Sequence, residues 1–179
     1  MKWQTPAVVF LFARACSAPV FAQDYDVPAD YNGDGQMDIG VARVGADYLL
    51  RWHIQTKTLS GATESLFVRW GVSEDTPVVG DYDGDGKADI AVMRRQKPGD
   101  KGAVWFIRLS SGGMLQVQWG LIEDVPVQAD YDGDGRTDIA VYRSATDRWW
   151  ILQSVCGFGC YSVRGPLGVP SPATRPASQ

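Results

Sequence analysis

Val125-Pro-Val-Gln-Ala-Asp-Tyr-Asp-Gly-Asp-Gly-Arg-Thr-Asp-Ile-Ala-Val141 sets the plan of the chain, because close copies of it start at Val27 and at Thr76. Each copy places oxygen-bearing side chains at alternate positions. They are Asp30, Asn32, Asp34 and Asp38 in the first, Asp81, Asp83, Asp85 and Asp89 in the second, and Asp130, Asp132, Asp134 and Asp138 in the third. Carboxylates at positions 1, 3, 5 and 9, with a backbone carbonyl at position 7, can wrap a hard cation such as Ca2+ that takes six to eight oxygens. The carbonyls belong to Gln36, Lys87 and Arg136. Glycine at positions 4 and 6 allows the tight wrap. Carboxylates held this close repel one another by several kcal/mol unless a cation neutralises them.

An EF-hand ends its loop on a bidentate Glu at position 12, where this chain has Val41, Val92 and Val141, so that loop type is excluded. After position 9 the chain reads Asp-Ile-Gly-Val or Asp-Ile-Ala-Val, alternating with the period of a strand. A single Asp-Gly-Asp-Gly is also a plain turn signal. Three copies in register argue for three metal loops.

The first loop leads the second by 51 residues and the second leads the third by 49, a spacing in the range of propeller blades. Trp52-His-Ile, Trp105-Phe-Ile and Trp149-Trp-Ile recur at matching places, and Trp70-Gly71, Trp119-Gly120 and Leu167-Gly168 close the units. The repeats run over 27–71, 76–120 and 125–168, each read as four strands. In the second the strands fall near Pro77 to Gly80, Ile90 to Arg94, Val104 to Leu109 and Leu115 to Trp119, with turns at Lys97–Asp100 and Ser111–Gly113. Such units cannot bury both faces alone and must stack. Trp52, Trp105 and Trp149 are expected between the sheets. Phe106 and Trp150, on the other strand face, are the candidates for exposed stacking. Arg43, Arg94 and Arg143 recur at position 14, where an ion pair with a loop carboxylate is expected.

These residues resemble the FG-GAP (VCBS-type) repeat of secreted bacterial proteins and of the integrin alpha-subunit propeller. The resemblance rests on the run from Trp119-Gly120 through Val125-Pro126 to Asp130–Val141 and covers residues 27 to about 168. It implies an all-β fold of propeller-type blades with calcium between the first and second strand of each. It implies no single activity. Closed propellers have about four to eight blades, so three units imply an open stack or closure by oligomerisation. Asn32 keeps an oxygen but drops a charge, which should make the first site weakest.

Length and composition fit one soluble domain: 179 residues, 45% hydrophobic, 21% charged. The net charge of −4 speaks against nucleic acid as a partner, and the three loops hold 11 of the 21 acidic residues. Met1-Lys2, the apolar run from Ala7 to Phe12 and Val20-Phe21-Ala22 read as a signal peptide over 1–22, cleaved after Ala22. The run is too short to span a bilayer. Export makes the localisation extracellular or periplasmic and favours a disulfide between Cys156 and Cys160. Residues 169–179 read as a disordered Pro/Ser-rich tail.

His53 is the one histidine, so a multi-histidine zinc site is excluded and no acid/base pair is marked by spacing. The chain is expected to be no enzyme: a secreted, calcium-binding repeat module for adhesion to a protein or glycan, capable of self-association into a homo-oligomer. The alternative is a carbohydrate-active enzyme, or an accessory fragment of one, on a propeller scaffold.

Overall fold

The structure is a computed structural model that describes residues 23–58, 60–96 and 102–166. The expected signal peptide, the Lys97–Asp100 turn, Leu167-Gly168 and the tail lie outside these residues. Twelve strands form three four-stranded antiparallel sheets. The first holds β1 (Asp24–Asp26), β2 (Ile39–Val44), β3 (Leu49–Lys57) and β4 (Thr63–Val72). The second holds β5 (Thr76–Pro77), β6 (Ile90–Arg95), β7 (Ala103–Arg108) and β8 (Met114–Gln118). The third holds β9 (Val125–Pro126), β10 (Ile139–Arg143), β11 (Arg148–Gln153) and β12 (Cys160–Arg164). In each sheet the strands pair in chain order, as short hairpin connections require. The described residues contain no helix.

Alternation along the strands sends one set of side chains into each gap between sheets. Leu50, Trp52, Ile54, Ala42 and Val68 of the first sheet pack on Ile90, Val92 and Phe106 of the second. Met93, Trp105 and Ile107 of the second pack on Ile139, Val141, Leu152 and Trp150 of the third. Trp52 and Trp105 are fully buried, and each indole N–H donates to the carbonyl of the Trp that closes its own sheet, Trp70 at 2.8 Å and Trp119 at 3.0 Å. Those closing tryptophans reach across the gap. Trp70 Nε1 donates to Phe106 O and Trp119 Nε1 to Trp150 O, both at 3.1 Å. A buried indole N–H needs such a partner, so each joint is latched twice by tryptophan.

Trp149 departs from its expected burial. It is only half-buried, tilted against Tyr142 at 4.5 Å, because the face it shares has no further sheet against it among the described residues. Phe106 and Trp150 depart in the other direction. They sit half-buried inside the joints, under the guanidinium groups of Arg94 and Arg143 at 4.8 and 4.7 Å, and are not open platforms.

The arginines themselves do form ion pairs, but with other carboxylates than the loop residues expected. Arg43 pairs with Asp24, Arg94 with Asp75 and Arg143 with Asp124. Asp75 also accepts the Val72 N–H and Asp124 the Leu121 N–H, both at 2.8 Å. The carboxylate therefore ties the end of one sheet to the second strand of the next.

Candidate metal centres

Each acidic loop bridges the first and second strand of its sheet, closed at the neck by an isolated β-bridge: Ala29 with Asp38, Gly80 with Asp89, Ala129 with Asp138. Just outside the neck a tyrosine hydroxyl donates to the chain four residues earlier, Tyr31 to Val27 O, Tyr82 to Val78 O and Tyr131 to Val127 O. Glycines at loop positions 4 and 6 have φ between 77° and 84°, the left-handed region that a Cβ disfavours. That curl folds the backbone N–H groups of Gly84 and Gly86 onto the two oxygens of Asp81, and those of Gly133 and Gly135 onto Asp130. Asp30 holds Gly33 and Gly35 in the same way.

Asp81, Asp83 and Asp89 each bring a carboxylate oxygen within 4.8 Å of the others, and so do Asp130, Asp132 and Asp138. Oxygens that far apart suit a cation with ligand distances of about 2.3–2.6 Å, and an all-oxygen donor set suits calcium. Asp89 and Asp138 are buried and each is oriented by two backbone N–H groups, Tyr82 and Ser110 for Asp89, Tyr131 and Ser154 for Asp138. Position 5 is held separately. Asp85 accepts the Ser110 hydroxyl at 2.7 Å, Asp134 the Ser154 hydroxyl at 3.1 Å, and Ser111 donates to Asp83. The position-7 residues Gln36, Lys87 and Arg136 donate their N–H to Asp34, Asp85 and Asp134.

The first loop differs. Its set of Asp30, Asn32, Asp34 and Asp38 contains no comparable carboxylate trio among the described residues. The Asn32 amide donates to Lys57 O at 2.8 Å and to Asp34 at 3.3 Å, supplying internally part of what a cation would supply. Electrostatics follows the same division. Burial, with the charge of Asp83 adding to it, holds the Asp89 carboxyl above the ordinary carboxylate value of 3.8. Asp132 is raised by desolvation and by the charges of Asp138, Asp134 and Asp130. In the first loop, burial pushes Asp30 up but the N–H groups of Gly35, Gly33 and Asp34 outweigh it, and its value falls.

These directions give a pH prediction. A carboxyl with a raised folded pKa binds its proton more tightly in the folded state, so its stabilising contribution is present below the ordinary value and lost as the pH rises through the raised one. In the calcium-free protein the contributions of Asp89 and Asp132 are expected to be lost across that window, opposite in sign to those of the lowered Asp24, Asp30 and Asp47, while calcium affinity rises across it. Melting curves in chelator of the protein and of Asp89→Asn, with calcium titrations at matched pH, check both; a pH dependence of melting that the substitution leaves unchanged would contradict the assignment.

The loops are also joined to one another. Ala88 N–H donates to Asp30 O at 2.7 Å and Thr137 N–H to Asp81 O at 2.6 Å, so position 8 of one loop closes on position 1 of the preceding loop. The Arg136 stem lies over Gly84, where an added Cβ would come within 2.8 Å of its Cγ. Neither this ladder nor the serine donors were anticipated from sequence. The Asp24, Asp75 and Asp124 partners of the clip were not anticipated either, although those residues recur at the repeat spacing. Cys156 and Cys160 are bridged, with Cα atoms 6.0 Å apart, across the turn before β12.

Stacked four-stranded repeats with an acidic, oxygen-lined loop after the first strand of each define a class of all-β repeat protein. Residues 30–92, from the first loop through the second, match the family model for the FG-GAP-like repeat. No curated protein matches the chain. No helix among the described residues is long and apolar enough to cross a membrane.

Proposed function

We propose that the chain is an exported, calcium-binding, non-catalytic repeat module that works by adhesion to a partner, protein or glycan. The observation that carries this reading is the pair of carboxylate trios in equivalent loops, built into the strand connections so that filling them and holding the sheets together are one event. The disulfide is in keeping with an oxidising compartment. Ile39 and Phe67, exposed at 69% and 68% on the face of the first sheet that points away from the second, support self-association as part of the same reading.

Calcium titration followed by native mass spectrometry tests the core of the proposal. Two ions are expected to bind tightly, in the second and third loops, and one more weakly in the first. A chain that takes up no calcium at millimolar concentration would sink the reading. Light scattering of the loaded protein checks self-association. A turnover screen on polysaccharides separates binding from chemistry: released product would move the assignment to a carbohydrate-active enzyme.

A further inference from the structure

The joint between the second and third sheets holds a crevice of about 330 Å3 lined by Trp119, Gly120, Leu121, Arg143, Trp150 and Tyr161, within the size range of small-ligand sites. The equivalent crevice in the other joint, lined by Trp70, Gly71, Val92, Arg94 and Phe106, measures about 180 Å3. The shared parts follow from the architecture. Both crevices have a latch tryptophan, the glycine after it and the clip arginine.

The informative residues are those that differ. Trp150 takes the register position of Phe106, and Tyr161, opposite Leu152, takes that of Met114, opposite Arg108. Phe106 fills its place in the other joint, while Met114 is 58% exposed and no part of that crevice's lining, so packing alone does not call for the exchange. Each replacement gives an aromatic ring a polar tip. Trp150 Nε1 is buried with no hydrogen-bond partner among the described residues, a state that native proteins seldom leave without a ligand or water to answer it. Arg143 uses Nε and Nη2 on Asp124 and leaves Nη1 without a bond among the described residues. Tyr161 is 59% exposed and lies 5.6 Å from the Trp119 ring and 6.2 Å from that of Trp150. The disulfide ends on Cys160, the residue before it, and fixes that wall.

An occupant must therefore bring an apolar face to the rings and acceptor oxygens to the free donors. It must also carry no net charge, since Asp124 already matches the charge of Arg143. A pyranose ring meets all three conditions, with its C–H face for stacking and its hydroxyl and ring oxygens as acceptors. The geometry points to a binding site for a neutral glycan in this crevice, with a sugar ring stacked on Tyr161, beside Trp150, and hydrogen-bonded by Arg143 Nη1. This inference rests on the reading of the chain as a binding module and narrows its partner.

The test uses the calcium-loaded full chain, 15N-labelled, titrated at millimolar concentration with neutral gluco-, xylo-, manno- and N-acetylglucosamine oligosaccharides. The indole N–H signal that disappears in Trp150→Phe is expected to shift with at least one of them. Tyr161→Ala is expected to weaken that binding by about tenfold or more with the melting temperature unchanged, while Met114→Ala, at the same place in the other joint, leaves it intact. No shift with any sugar, equal affinity in Tyr161→Ala, or a shift produced by a proline-rich peptide in place of the sugars would each overturn the assignment. Should calcium uptake stand while these fail, the crevice assignment falls and the metal reading survives; a sugar shift without calcium uptake removes the metal reading alone.

Discussion

Excess chelator is expected to lower the melting temperature of the protein by roughly 10 °C. A site with Kd of about 10⁻⁴ M, common in extracellular modules, contributes about 1.8 kcal/mol at roughly 2 mM calcium when only the folded state binds. The two loops with carboxylate trios together supply about 3.6 kcal/mol on that basis, a large share of an ordinary domain's stability. The first loop adds less, because Asn32 removes a charge and its amide already reaches the Asp34 carboxylate. Asp85→Ala and Asp134→Ala are expected to cost more than Asp34→Ala, since they also free the hydroxyls of Ser110 and Ser154. Calorimetric melting with and without chelator measures all of these. An unchanged curve on protein shown to be metal-free would leave the three loops as turns only.

Asp124→Ala should destabilise the fold by about 3 kcal/mol, near the lower end for breaking a buried ion pair. Its carboxylate is 1% exposed, receives two guanidinium nitrogens of Arg143 and caps the Leu121 N–H. Truncation strands all three donors at a joint. Asp24→Ala removes the same residue from the same register of the first sheet, yet there the pair is 57% and 45% exposed, and the expected cost is a small fraction of that for Asp124→Ala. Denaturant midpoints of the two variants, compared at equal slope, decide the matter. Equal losses would mean that the ion pair counts for its charge and not for the joint it closes.

The readable part of this fold was whatever repeated. The strand pattern around Ile90–Arg94 and Val104–Leu109 emerged within a residue or two of β6 and β7, because alternation and glycine turns act locally. The candidate ligands followed from alternate acidic spacing for the same reason. Neighbours across the gaps were harder. Phe106 and Trp150 lie on the strand face opposite Trp105 and Trp149, and only the stacking order of the sheets reveals that this face is also covered. Asp75 and Asp124 each follow a glutamate outside the loops, and which of the two acids takes the arginine depends on a turn geometry that sequence spacing alone does not draw. Ser110, Ser111 and Ser154 belong to turns of unequal length, and no fixed offset links them to the loops they serve.

The clip, the tryptophan latch and the loop ladder share a property that bears on how such a chain grows. In each, one half is supplied by the end or the loop of one repeat and the other half by the next: Asp75 with Val72 and Arg94, Trp70 with Phe106, Asp30 with Ala88. A gene segment of one repeat length, duplicated in tandem from any starting point, delivers both halves of every fastening. A new copy is thus born compatible with its neighbours on either side, and copy number can change by whole repeats without any new contact having to be invented.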